Sequence, residues 1–227
     1  MLTHTQLSDY LQPTDAIDSA HPAVVDFARD HTDSADGDVQ KGIQLYYAVR
    51  DLIRYDPYQI HLTVPALRAS ATLEAKRGWC ISKAVLLAAS CRAVGIPARL
   101  GFADVRNHLS TERLRQRMGG VNLFYWHGYT EIFLADRWVK ATPAFNIELC
   151  EKFRLLPLEF DGQSDSIYHP FDAEGNRHME YVTHRGVYSD LPLDEIILTF
   201  DREYRQIESQ PGFVNADFDA DVASETA

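Results

Sequence analysis

From Asp38 the apolar residues Val39, Ile43, Tyr46, Val49 and Ile53 recur every three to four positions, with Lys41, Gln44, Arg50 and Asp51 between them. This spacing predicts an amphipathic helix, ended by Tyr55-Asp56-Pro57. A shorter helix opens at Pro22 and runs through Val24, Val25, Phe27 and Ala28. The stretch 59–76 has weak periodicity and reads as an approach loop with a short helix, leading to Gly78, whose missing side chain permits a tight entry into the next helix. That helix is a denser apolar run, beginning at Cys80 and continuing to Arg92-Ala93-Val94, where Gly95 stops it and Ile96-Pro97 leads into a strand over 97–102. Trp126–Leu134 is rich in aromatic and β-branched residues and Arg137–Lys140 repeats the pattern, so the two predict strands joined by a tight turn at Ala135-Asp136. Between the strands lies an insertion, 104–120, in which Ser110 or Thr111 caps a short helix that Gly119-Gly120 stops. Leu193–Tyr204 forms a last amphipathic helix.

With 227 residues and 45% hydrophobic content, the chain can bury a full core as one domain. We place that domain at 1–212, with its core at about 38–146 and an elaboration at about 147–208; residues 213–227 read as a disordered acidic tail. The net charge of −11 argues against nucleic acid or an anionic membrane as the main partner. No apolar stretch approaches the length of a membrane span, and the N-terminus has no signal-peptide pattern, which leads to the expectation of a cytoplasmic protein. Three cysteines suit a reducing compartment. Cys91 lies about three turns beyond Cys80, roughly 16 Å along one helix, too far for a disulfide. Cys91 is therefore read as core packing, and Cys150 as a small apolar residue on a later helix.

Cys80 changes the picture because it stands where a helix starts. Unpaired N–H groups and the positive end of the macrodipole favour a thiolate there, with Lys76, Arg77 and Lys83 adding charge. His127 lies downstream on a predicted strand, and an imidazole that takes the thiol proton and returns it to a leaving amine completes the pairing a thiol nucleophile needs.

The order Gly78-Trp79-Cys80, Gly95-Ile96-Pro97-Ala98-Arg99, His127 and Trp138-Val139-Lys140-Ala141-Thr142-Pro143 resembles the transglutaminase-like superfamily of papain-fold cysteine enzymes, in a short bacterial-type form. The resemblance implies an α+β fold in which the cysteine helix packs on an antiparallel sheet carrying the histidine. It implies acyl transfer at an amide or peptide bond through a Cys80 thioester, with His127 as general base and no cofactor or metal. The chain departs from the family where an aspartate usually orients the histidine: Thr142 stands there, and its hydroxyl supplies no negative charge. Asn146, Asp136 and Glu131 are further candidates for that role, and the sequence does not choose among them. Trp79, Trp126 and Gly128, flanking the pair, are assigned to substrate binding.

Arg106, Arg113, Arg115 and Arg117 form a basic cluster in the insertion of an otherwise acidic protein. It reads as a solvated helix face, or as a surface beside the cleft that attracts an acidic peptide or protein substrate. His169, His178 and His184 lack the spacing of metal ligands, and no GxSxG marks a serine hydrolase. The rival to an acyl-transfer enzyme is a binding or scaffolding module that keeps the fold without turnover.

Overall fold

The computed structural model describes residues 7–107, 110–120, 122–167, 179–204 and 216–225. In chain order its elements are α1 (Pro22–Asp30), α2 (Gly37–Leu52), β1 (Arg54–Tyr55), α3 (Val64–Leu67), α4 (Ala69–Ala75), β2 (Arg77–Gly78) and α5 (Cys80–Ala93). They continue with β3 (Ala98–Asn107), α6 (Glu112–Arg117), β4 (Leu123–Leu134), β5 (Arg137–Ala141), α7 (Ile147–Lys152), β6 (Met179–Tyr188), α8 (Leu193–Glu203) and α9 (Phe218–Glu225).

Helix α5 is the axis of the molecule. Every residue from Cys80 to Arg92 is buried, which explains an apolar run with no polar face. One side of α5 packs on β4 of an antiparallel sheet ordered β5-β4-β3-β6, and α1, α2 and α4 cover it elsewhere. Helix and strand meet closely because Gly128 has no side chain: a Cβ there would lie 3.1 Å from Ile81 Cα. Two residues on, Thr130 Oγ1 donates to Ala84 O at 2.9 Å, so the interface is hydrogen-bonded as well as packed. The β4–β5 hairpin turns at Ala135 and Asp136, whose φ values of 47° and 64° are those of a type I′ turn.

The entry to α5 is equally constrained. A Cβ on Gly78 would come within 2.4 Å of Ser82 Oγ, the atom that accepts the Trp79 N–H at 3.0 Å and closes the first turn. The short parallel pair β1–β2 sets Tyr55 opposite Gly78, placing the end of α2 beside the start of α5. Lys83, fully buried, donates its ammonium to Arg50 O at 2.9 Å and to Ile53 O, both at the carbonyl end of α2. Burial drives its pKa well below the usual lysine range.

Three regions differ from the sequence-based expectations. Strand β3 runs on to Asn107, so the insertion starts later than residue 104 and, among its described residues, contains α6, capped by Thr111 Oγ1, which accepts Leu114 N. Strand β6 has no counterpart among the predicted elements: it pairs with β3 at the sheet edge, and its mostly exposed or half-exposed residues give it a weak apolar signal. The acidic segment expected to be disordered instead contains α9, docked through buried Phe218 and Val222, side chains whose full burial is worth about 1.5–3 kcal/mol each. Residues 213–215 and 226–227 of that tail, and His169 and His178, lie outside the described residues. Among the described residues, no group of acidic, histidine or cysteine side chains could hold a metal ion, and no helix is long and apolar enough to cross a membrane.

Candidate active site

Cys80 is the first residue of α5, 7% exposed, with the backbone N–H groups of Gly128 and Ile81 near its sulfur. These contacts favour the thiolate, but burial outweighs them and pushes the thiol up to about 11. The expectation of a depressed pKa therefore does not hold for this closed arrangement. Nor do the nearby cations act as the sequence suggests. Lys83 turns away to the end of α2, and Arg77 pairs with Asp56 at 3.3 Å.

His127, 5% exposed, sits on β4 opposite Ala103 and faces the Tyr181 ring edge-on at 6.3 Å. Cys80 and His127 line one narrow cavity of about 40 Å³, together with Trp79, Tyr55, Phe200 and Tyr204. Its walls are mainly apolar and aromatic, as in pockets that desolvate a ligand. Burial, with the neighbouring Asp56 carboxylate adding to it, raises the pKa of the Tyr55 hydroxyl well above its usual value. Tyr204 is raised in the same way, and its hydroxyl accepts Tyr125 N at 2.6 Å, fastening α8 to β4.

Trp79 lines the cavity, and among the described residues its indole N–H has no hydrogen-bond partner. Gly128 is not part of the cavity wall; its backbone N–H lies near the Cys80 sulfur and favours the thiolate. Trp126 is not part of the wall. It is buried with φ 59°, a left-handed conformation rare for a bulky residue. That conformation is clamped from three sides: its N–H donates to Asp104 at 3.2 Å, its indole to Thr199 at 2.9 Å, and the Arg185 guanidinium lies 4.9 Å over its ring.

The candidates for orienting His127 each have structural surroundings of their own. Thr142 is bound through its backbone to Ser166 O and the Tyr46 hydroxyl, and among the described residues its Oγ1 has no hydrogen-bond partner. Asn146 Oδ1 accepts Tyr55 N at 3.1 Å. Glu131 is ion-paired with Arg99 at 2.6 Å, and Asp136 sits in the hairpin turn. Of the arginine cluster, Arg113 pairs with Asp221 of α9 at 2.7 Å, Arg106 with Glu180 at 3.3 Å and Arg115 with Glu112 at 3.5 Å. The Arg117 side chain lies outside the described residues. Tyr55, Phe145 and Tyr204 are wall residues that sequence reasoning missed; the amphipathic pattern of α8 was the only signal for any of them.

A nucleophile-bearing helix start against a histidine strand defines a cysteine-hydrolase type of catalytic module. The profile of the Transglutaminase-like superfamily matches residues 25–143, just over half the chain and all of the α2–β5 core. The chain belongs to this superfamily and has its papain-like fold. No curated protein is detectably similar. Among solved structures, a candidate cysteine protease from Cytophaga hutchinsonii is 16% identical with a TM-score of 0.49, over 82% of this chain and 55% of its own. A candidate protease from Parabacteroides distasonis is 15% identical with a TM-score of 0.38, over 60% of this chain and 25% of its own. The chain thus spans about half the length of the first and a quarter of the second.

Proposed function

We propose that the protein is a cysteine-dependent acyl-transfer enzyme acting on an amide or peptide bond. The observation that carries this reading is the joint presence of Cys80, at the N-terminus of α5, and His127 in one desolvated cavity. With the thiol neutral at rest, His127 takes its proton as the sulfur attacks the carbonyl, and the resulting imidazolium protonates the departing amine to leave a thioester. Water then gives hydrolysis; an amine acceptor gives transamidation. The indole N–H of Trp79, a residue of the cavity wall, is a buried donor with no described partner and is suited to the oxygen that gains charge during attack. The apolar walls favour an uncharged side chain at the bond cleaved, and the three free cysteines fit a reducing, cytoplasmic setting.

A second reading, a binding module without turnover, is favoured by Thr142, where the family's usual carboxylate is replaced by a hydroxyl with no described partner. Incubation with a library of peptide amides followed by mass spectrometry separates the two. An acyl-enzyme adduct at Cys80, absent in Cys80→Ala and His127→Ala, supports the enzyme. Its absence across the library, with the fold intact, supports the module. Release of ammonia, of a new peptide C-terminus, or of an amine-linked product distinguishes the reactions.

A further inference from the structure

Helix α9 returns to the molecule against the back of the Cys80 cavity. Its Phe218 ring packs edge-on to Tyr55 at 5.9 Å and to Tyr58 at 5.2 Å, and Val222 is fully buried beside it. Asp219 meets Arg54 and, at 3.9 Å, Lys152. Asp221 accepts the Tyr58 hydroxyl at 2.7 Å and pairs with Arg113 at 2.7 Å. The cations come from β1, α6 and α7, elements far apart in the chain, and gather here in a protein of net charge −11.

This rim adjoins the reaction site. Tyr55, Asn107, Leu114 and Phe145 form a shared wall, with the Cys80 cavity on one side and the hollow that Phe218 closes on the other. The ion pairs on the rim are only partly buried: Arg54 is 49% and Arg113 44% exposed, so water and competing anions reach them. One aromatic ring, one small apolar side chain and three carboxylates are among the described docking contacts, the third being Glu225, which accepts Glu112 N at 2.9 Å.

We propose that this rim is a recognition surface for an acidic polypeptide segment bearing one aromatic residue. In this structure residues 216–225 occupy it in cis, and an acidic segment of a protein substrate exchanges with them. That the visiting segment belongs to a substrate rests on the acyl-transfer reading above; the binding itself does not. A tethered segment competes at high effective concentration, so the surface is largely masked until its own segment is weakened.

The test uses the full chain and a fluorescent synthetic peptide copying residues 214–227. Phe218→Ser combined with Asp221→Asn weakens the cis segment, and anisotropy should show this variant binding the peptide at least tenfold more tightly than wild type. Binding should weaken severalfold between low and moderate salt, be lost when Arg113→Glu is added, and persist in Cys80→Ala. A folded double variant that binds no better than wild type overturns the proposal and leaves α9 a structural element. On the unmodified protein, excess peptide should raise amide exchange within 218–225. Unchanged exchange at saturating peptide would also overturn it, whatever the variants do.

Discussion

Asn146 Oδ1 accepts the backbone N–H of Tyr55 at 3.1 Å, so the segment after β5 holds the strand that forms the cavity wall. Asn146, a candidate for orienting His127, thus acts as a clasp on Tyr55. Asn146→Ala leaves that partly buried N–H without its acceptor and should cost about 1 kcal/mol in chemical denaturation. It should also quicken alkylation of Cys80 as the wall loosens, whereas Asn146→Asp, which keeps an acceptor, should do less of both. Equal stability of the alanine variant and wild type would count against the clasp.

Thr142 offers the opposite expectation. Its buried hydroxyl has no described partner, so Thr142→Val should be neutral or slightly stabilising, by up to about 1 kcal/mol, with adduct formation at Cys80 unchanged. A tenfold fall in adduct formation with no loss of stability would restore Thr142 as a positioning residue.

For Trp79, the donor and the packing can be separated. Trp79→Phe retains an aromatic ring against Phe200, 6.1 Å away in the native protein, but removes the N–H. If that N–H stabilises the developing oxyanion, kcat should drop by about 10²-fold with KM little changed. A change in KM alone would reassign Trp79 to substrate binding.

The pH dependence of Cys80 has a definite sign. Because burial pushes this acid up to about 11, the thiolate fraction in the resting protein grows with pH toward that value. Alkylation by iodoacetamide should therefore climb through pH 9–11, with no plateau in the acid range. An acid plateau that disappears in His127→Ala would show instead a resting thiolate–imidazolium pair.

The buried thiols also link stability to pH. Cys80 and Cys150 are raised to about 11 and Cys91 further, all chiefly by burial. A raised folded-state pKa contributes stability that is complete below the unfolded value of about 8.5 and is lost as pH rises toward the folded one. Lys83, lowered in the fold, acts in the opposite sense, so the comparison is between variants. Cys91→Ala should be less stable than wild type at pH 7.5, with the difference in Tm narrowing by pH 10.5. A constant difference would remove Cys91 from the linkage.

The core was legible because each of its devices is local. Gly78 before Cys80, the unbroken apolar run of α5 and the β4–β5 hairpin leave their signatures within a few residues. The closed wall was not, since Tyr55, Phe145 and Tyr204 converge only through topology. The direction of the Cys80 shift was missed for a related reason: helix-end electrostatics can be read from a sequence, but the desolvation that outweighs them depends on what covers the sulfur. Helix α9 was hidden by composition, because its aspartates read as solvated until their cations, more than a hundred residues upstream in Arg54 and Arg113, are brought to them.

Between Ala103 and Val105 the register of β3 advances two residues while β4, from His127 back to Phe124, advances three, with left-handed Trp126 inside that step. The extra residue is a phase slip: alternation restarts at His127, and residues on either side of the slip keep time with different faces of the sheet. Phe124, Tyr125 and His127 can therefore all reach one cavity, which a regularly pleated strand would not allow. For this protein, then, the spacing of residues 124–127 is as much a part of the site as their identity, and a one-residue deletion there would turn His127 out of step while leaving every side-chain type of the cavity in the sequence.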